Sequence, residues 1–125
     1  MAPREDMTIH ERLVSDVALL HVSGRVTLTD GTVVLDDTLR RLIDKGYVKL
    51  IVDLADVPYI DSTALGIILR THARVTRRGG GFRLLRVQGH VRELLELTRL
   101  SSVFEAFDSE AHALASLASI PPPSE

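Results

Sequence analysis

The chain has 125 residues, of which 26% are charged and 45% hydrophobic, with a formal net charge of −2 and no Cys. A chain of this length fits one domain and can bury a core without covalent cross-links. The absence of Cys excludes disulfide bonds, thiolate metal sites and Cys nucleophiles. The slightly acidic balance argues against direct nucleic-acid binding, which normally needs a strong basic excess.

The two ends of the chain differ in composition from the middle. The opening residues, Met1-Ala-Pro-Arg-Glu-Asp6, are polar and are not followed by the apolar stretch of a secretory signal. Apolar runs such as Val17–Leu20 are far too short to span a bilayer. We therefore expect a cytoplasmic protein without membrane insertion. Its domain is predicted over residues 7–118, between an N-terminal tail (1–6) and a Pro-rich disordered tail (119–125).

The first half of the domain reads as a hairpin followed by a helix. Residues 8–13 and 17–22 are predicted strands joined by a turn at Ser15-Asp16, so they should pair antiparallel. Residues 24–31 are a predicted loop. A helix is expected over 32–45, with an apolar face that includes Val34 and Leu35.

The second half alternates strands and helices. The near-continuous apolar run at 48–54 is typical of a central strand that is covered on both faces. The later elements are predicted as helix 64–78, a turn at 79–81, strand 82–87, helix 91–99, strand 103–107 and a last helix from Ser109. This alternation predicts an α/β single domain, with a mixed, mostly parallel β-sheet, an antiparallel N-terminal hairpin and about four helices.

Asp61 and Ser62 lie where the central strand leads into a helix, the position at which open α/β sheets carry functional groups. Pro58 should stiffen this loop, and Asp61 or Ser62 should cap the helix by accepting from its unpaired first amides. A phosphate on Ser62 would also be tolerated there, beside free N–H groups and the positive end of the helix dipole. Both a structural cap and a phosphorylated switch therefore fit the pattern.

Two enzyme-like or signalling alternatives fail on residue content. A response-regulator receiver needs a late Lys, and the only Lys residues are Lys45 and Lys49. A serine hydrolase of the elbow type needs Gly-x-Ser-x-Gly, whereas Ser62 lies in Ile-Asp-Ser-Thr-Ala. The His residues are scattered without metal-ligand spacing. We therefore expect no catalytic residue, no metal site and no cofactor.

Three stretches carry a family resemblance over roughly residues 8–117. They are "LIVDLADVPYIDSTALGIIL", "RGGGFRLLRV" and "VRELLELTRLSSVFEAFDSEAHAL". Together they resemble the STAS domain family, the anti-sigma factor antagonists of bacteria. The resemblance implies a STAS-like fold and a protein that acts by binding, not as an enzyme.

The resemblance also implies a mechanism. Such antagonists bind a serine-kinase anti-sigma factor, which then releases its sigma factor. The kinase uses ATP to phosphorylate the serine that follows the motif's Asp, here Ser62, and a PP2C-type phosphatase removes the phosphate. The implied partner-binding residues are Asp61, Ser62, Thr63, Leu65 and Gly66. The alternative is a non-phosphorylated STAS scaffold or a phospholipid-transport-associated subunit, in which Ser62 belongs only to the cap.

One stretch departs from the pattern of familiar antagonists. Their second strand often ends in Gly-Glu-(Leu/Ile)-Asp, with acidic residues near the kinase-facing surface. This chain has Gly24-Arg25-Val26-Thr27 instead, and Asp30 is expected to supply the missing charge in the partner-binding set. The sequence leaves open which kinase and sigma factor are involved, and whether the chain is a monomer or a dimer.

Overall fold

The computed structural model describes residues 7–121 and forms an α/β domain. Its elements are β1 Thr8–Val14, β2 Val17–Ser23, α1 Thr32–Asp44, β3 Lys49–Asp56, α2 Ser62–Arg77, β4 Gly81–Leu85, α3 Gly89–Leu97, a 3-10 turn Leu100–Ser102, β5 Glu105–Phe107 and α4 Glu110–Ala118. Each predicted strand and helix is present, so the predicted fold class is confirmed.

The five strands form one mixed sheet in the order β1-β2-β3-β4-β5. The β1–β2 hairpin is antiparallel, and the remaining pairs are parallel. Because parallel neighbours need crossover connections, α1, α2 and α3 each link two consecutive strands of the parallel part. The carboxyl ends of β2, β3 and β4 consequently meet at one edge of the sheet.

The alternation of side chains along the strands gives the sheet two different faces. On one face, Leu20, Leu50 and Leu84 belong to the main core, which also holds the apolar sides of α1, α2 and α3. On the other face, Leu19 and Ile51 pack in a smaller cluster with Ala113 and Leu117 of α4, among others. The continuous apolar run of β3 therefore reflects burial on both faces, as predicted.

Two details of the helices differ from the prediction. The helix predicted from residue 64 begins at Ser62, because Asp61 supplies its cap. Val34, expected on the apolar face of α1, is 53% exposed, whereas Leu35 beside it is buried. The helical turn of about 100° per residue carries Val34 off the buried side, so including it in the apolar face was wrong.

The predicted domain limits stay a prediction. Residues 1–6 and 122–125 lie outside the described residues, so nothing tests the two tails there. Within the predicted C-terminal tail, Ile120 packs against the smaller core cluster. The Lys49 ammonium donates to the Ile120 carbonyl, which joins this segment to the start of β3.

Candidate functional site

The site is built around the first turn of α2. Asp61 is the N-cap residue, in an extended conformation (φ −103°, ψ −176°), and its Oδ1 accepts from the Ala64 amide at 3.0 Å. Ser62 is the first helical residue and is exposed. Within residues 7–121, the Ser62 hydroxyl takes part in no side-chain hydrogen bond. The helix therefore presents an available hydroxyl beside an occupied cap.

Asp61 also ties α2 to the loop that follows β2. Its Oδ2 accepts from the Leu28 amide at 2.8 Å. Partial burial by itself raises the pKa of Asp61, but the backbone amides of Ala64 and Leu28, with smaller help from Thr63, outweigh it. They hold the pKa of this carboxyl below its ordinary value of 3.8. Asp61 is therefore ionised at neutral pH and fully engaged by amides.

We expect Asp61→Ala to lower the free energy of unfolding by about 1–2 kcal/mol, because both amides lose their acceptor. The wild-type advantage should shrink as the pH falls through the lowered pKa of Asp61, below 3.8. Urea unfolding at neutral and acidic pH measures both effects. Asp37→Ala, an exposed carboxylate on α1, is the control and should change stability by less than about 0.5 kcal/mol. Equal losses in the two variants would contradict this role of Asp61.

The loop after β2 lies alongside the loop after β3. Val26 forms an isolated parallel bridge with Ile60, supported by Val26 N to Tyr59 O at 3.1 Å and Asp61 N to Val26 O at 3.3 Å. Gly24 N donates to Asp56 O at 3.0 Å, closer to the strand ends. These backbone bonds tie the approach to Ser62 to the loop after β2.

The structure brings most of the predicted partner-binding residues together. Asp61, Ser62 and Thr63 form the start of α2, and Gly66 lies half-buried one turn further on. Asp30 lies in the loop after β2, where its Oδ2 accepts from the Thr27 hydroxyl at 3.3 Å. Leu65 is different, because it is only 7% exposed and belongs to the main core. Its side chain holds α2 on the sheet and presents little surface to a partner.

Sequence reasoning missed three exposed apolar side chains in the segment that follows β2. Leu28 and Val33 are each 69% exposed, and Val34 is 53% exposed. Leu28 is the residue whose amide Asp61 holds, and Val33 and Val34 lie in the first turn of α1, which follows the same loop. The available signal was an apolar residue at a turn, between Thr27 and Asp30. Grouped exposed apolar side chains are typical of interaction sites.

A second missed feature lies at the same edge of the sheet, on the face that α4 covers. His21 bridges two carboxylates of β3, with Nδ1 at 2.9 Å from Asp53 Oδ2 and Nε2 at 2.8 Å from Asp56 Oδ2. Arg86 also donates to Asp53, at 3.0 Å. Asp53, only 3% exposed, thus has a structural role between β2, β3 and β4. No pattern in the sequence pairs these residues, which come from three strand ends.

The two carboxylates favour the protonated form of His21. A neutral imidazole carries one N–H and can donate to only one of them, whereas the protonated ring donates to both. The hydrogen bond to Asp53 contributes most to raising the pKa of His21, with help from Asp56 and against the effect of burial. The pKa therefore lies above its ordinary value of 6.5.

We expect the domain to lose stability as the pH rises through the raised pKa of His21. The contribution is fully present below 6.5, the ordinary value, and disappears above the folded value. Melting curves between about pH 6 and about pH 9 measure it, with His21→Gln giving a flatter profile than the wild type. His112→Gln, on the exposed side of α4, is the control and should keep the wild-type profile. Parallel profiles for wild type and His21→Gln would refute the bridge.

Other kinds of site find little support in the part of the chain that the structure describes. No group of three or more His, Cys, Asp or Glu side chains there could hold a metal ion. Among the helices at residues 7–121, none is long and apolar enough to cross a membrane. The exposed Ser62 hydroxyl, the engaged Asp61 cap and the exposed apolar side chain of Leu28 suit a protein-binding surface.

The fold and this site agree with the comparisons to known proteins. The STAS domain family matches residues 9–113, so the chain belongs to that family. A Thermotoga maritima protein provisionally named an anti-sigma factor antagonist is 27% identical over 103 residues, which cover 82% of this chain and 91% of that protein. At this low identity, the chain is similar to anti-sigma factor antagonists. These are non-enzymatic regulators, as the sequence predicts for this chain.

Solved structures agree. A crystal structure of a provisionally assigned anti-sigma factor antagonist from Thermotoga maritima has a TM-score of 0.82 at 25% identity, covering 87% of this chain and 93% of that one. The Bacillus cell fate determinant SpoIIAA in its phosphorylated form has a TM-score of 0.71 at 14% identity, covering 87% and 98%. The second likeness concerns the fold alone.

Proposed function

We propose that this chain is an anti-sigma factor antagonist that binds a serine-kinase anti-sigma factor, so that the kinase releases its sigma factor. Phosphorylation of Ser62 by that kinase, with ATP, switches the binding off, and a PP2C-type phosphatase restores it. The cycle takes place in the cytoplasm, where the sigma factor meets RNA polymerase. The observation that carries the proposal is the exposed Ser62 hydroxyl at the start of α2, beside a cap that is already occupied.

The geometry supports a switch that acts on docking and leaves folding intact. A phosphate at a helix N-terminus is favoured by the nearby N–H groups and the dipole, so the fold tolerates it. The phosphate adds a charge of roughly −1.5 to −2 to a surface that already carries the ionised Asp61. A partner seated on this surface would meet that charge directly. Its effect on binding should therefore exceed its effect on stability.

The neighbouring surface supports a protein partner. Leu28 is exposed, and Asp61 fixes the position of its backbone. A docked protein would cover this apolar side chain while its other contacts surround Ser62. The same placement explains how one phosphate could disturb a larger interface. A phosphorylated form of SpoIIAA, a protein of the same fold, is in keeping with a switch of this kind.

The proposal is tested with a preassembled complex. Each histidine-kinase-like ATPase of the source genome is purified with its sigma factor, and the chain is added before size-exclusion chromatography. We expect one complex to release its sigma factor when the wild type or Ser62→Ala is added. The same complex should keep its sigma factor when the phosphorylated chain is added. Release by no complex would favour the alternative, a STAS scaffold or phospholipid-transport-associated subunit in which Ser62 belongs only to the cap.

A further inference from the structure

Three side chains form an ordered stack on the surface beside the site. The Arg25 guanidinium carbon lies 5.0 Å from the centroid of the Tyr59 ring. The Tyr59 and His90 rings are stacked, with centroids 4.7 Å apart and planes 19° from parallel. The stack joins the loop after β2, the loop after β3 and the first turn of α3. It is therefore held by three different parts of the fold.

The stack presents an available cation to solvent. Arg25 and His90 are exposed, and Tyr59 is half-buried. Within residues 7–121, the Arg25 guanidinium forms no salt bridge with a carboxylate and no side-chain hydrogen bond. Its planar set of N–H donors is free to bind a carboxylate in a bidentate manner. Because the ring of Tyr59 already orders the side chain, less conformational entropy is lost on binding.

The stack borders the switch. The parallel bridge between Val26 and Ile60 places Arg25 beside Tyr59 and, on the same side of the two segments, Thr27 beside Asp61. Two residues of extended chain span about 7 Å, so the backbone of Arg25 lies about that far from the position that faces Asp61. Asp61 is engaged by amides and Asp56 by His21, and neither carboxylate pairs with the exposed Arg25 guanidinium.

We infer that the stack of Arg25, Tyr59 and His90 determines partner specificity by receiving a carboxylate from an acidic segment of the serine-kinase anti-sigma factor. This inference rests on the proposed function, since it concerns the surface that surrounds Ser62. Arg and Tyr are enriched among the residues that dominate binding energy, and a fixed cation selects against basic partners. The surface thereby distinguishes its own kinase from kinases that present a cation at the same place.

The test uses the purified kinase that phosphorylates this chain. Its Kd for variants of the full chain is measured under conditions in which ATP is not hydrolysed. Arg25→Glu should weaken binding by at least about tenfold, and Arg25→Gln by a smaller factor, because only the first adds repulsion. Arg25→Lys should recover part of the affinity without the bidentate geometry. The wild-type affinity should fall more steeply with added salt than that of Arg25→Gln.

Arg77→Glu is the matched control. It makes the same charge change on an exposed residue in the last turn of α2, about 22 Å along the helix from Ser62. We expect its Kd to stay within about twofold of the wild type, and the melting temperature of each variant verifies folding.

The outcomes separate this inference from the proposed function. If phosphorylated chain fails to bind while Arg25→Glu and Arg25→Gln bind like the wild type, the inference is overturned and the switch stands. Equal weakening by Arg25→Glu and Arg77→Glu also overturns the inference, because general charge would then explain the loss. If the unphosphorylated wild type binds no kinase, both the inference and the proposed function fail.

Discussion

Ser62→Asp is expected to weaken binding to the kinase by about 30-fold or more, while the melting temperature changes little. The exposed position of Ser62 lets the new carboxylate reach solvent, so folding buries no charge. At the helix start the carboxylate also interacts favourably with the dipole. In the complex the new carboxylate would instead lie at the interface, next to Asp61. A loss of about 2 kcal/mol of binding free energy there corresponds to a Kd that is roughly 30-fold weaker.

Calorimetric titration of the purified kinase with each variant measures this effect. Ser62→Ala should bind like the wild type, because removing an unbonded hydroxyl costs little. Ser101→Asp makes the same substitution at another exposed serine, in the 3-10 turn, and should leave the Kd unchanged. Wild-type affinity in Ser62→Asp would contradict a charge switch at this residue. Unfolding of Ser62→Asp would contradict the claim that the fold tolerates the charge.

Gly80→Ala is expected to lower the free energy of unfolding by about 3 kcal/mol. A Cβ at this position would lie 1.9 Å from the carbonyl oxygen of Val48. That carbonyl cannot move aside easily, because it accepts from the Gly81 amide at 2.9 Å at the start of the β3–β4 pairing. The clash therefore forces the backbone to shift where α2 returns to the sheet. Chemical denaturation measures the loss.

Gly66→Ala is the matched control for this backbone effect. Gly66 lies inside α2, and its added Cβ would meet only the flexible end of Arg70, at 3.4 Å. Because Ala favours helix more than Gly does, we expect a gain of about 0.5–1 kcal/mol. A similar loss in both variants would show that the Val48 contact is not the cause. A kinase Kd changed by Gly66→Ala alone would support the prediction that Gly66 contributes to partner binding.

Local patterns in the sequence were sufficient to predict the fold. The apolar run of β3 predicted a strand buried on both faces, and the helical periodicity after it predicted α2. Each signal arises within about ten residues, because burial repeats with the period of the local structure. The start of α2 was predicted two residues late, since either Asp61 or Ser62 could supply the cap by its chemistry.

The missing parts of the site depend on contacts between distant segments. The amide of Leu28 reaches Asp61, and His21 reaches Asp53 and Asp56, only because the ends of β2 and β3 lie side by side. Strand register sets these contacts, and no local pattern encodes it. The stacking of Arg25 on Tyr59 has the same origin. Residue identity at position 25 was visible in the sequence, but its surroundings were not.

Phosphopeptide mapping after incubation with the purified kinase and ATP tests directly whether the outward hydroxyl at the start of α2 is the switch. We expect one phosphate on Ser62 in the wild type and in Thr63→Ala, and none in Ser62→Ala. The phosphorylated chain should keep the melting behaviour of the unmodified one and lose its affinity for the kinase. A phosphate on Thr63, or a Ser62 phosphate that leaves kinase binding intact, would contradict the account.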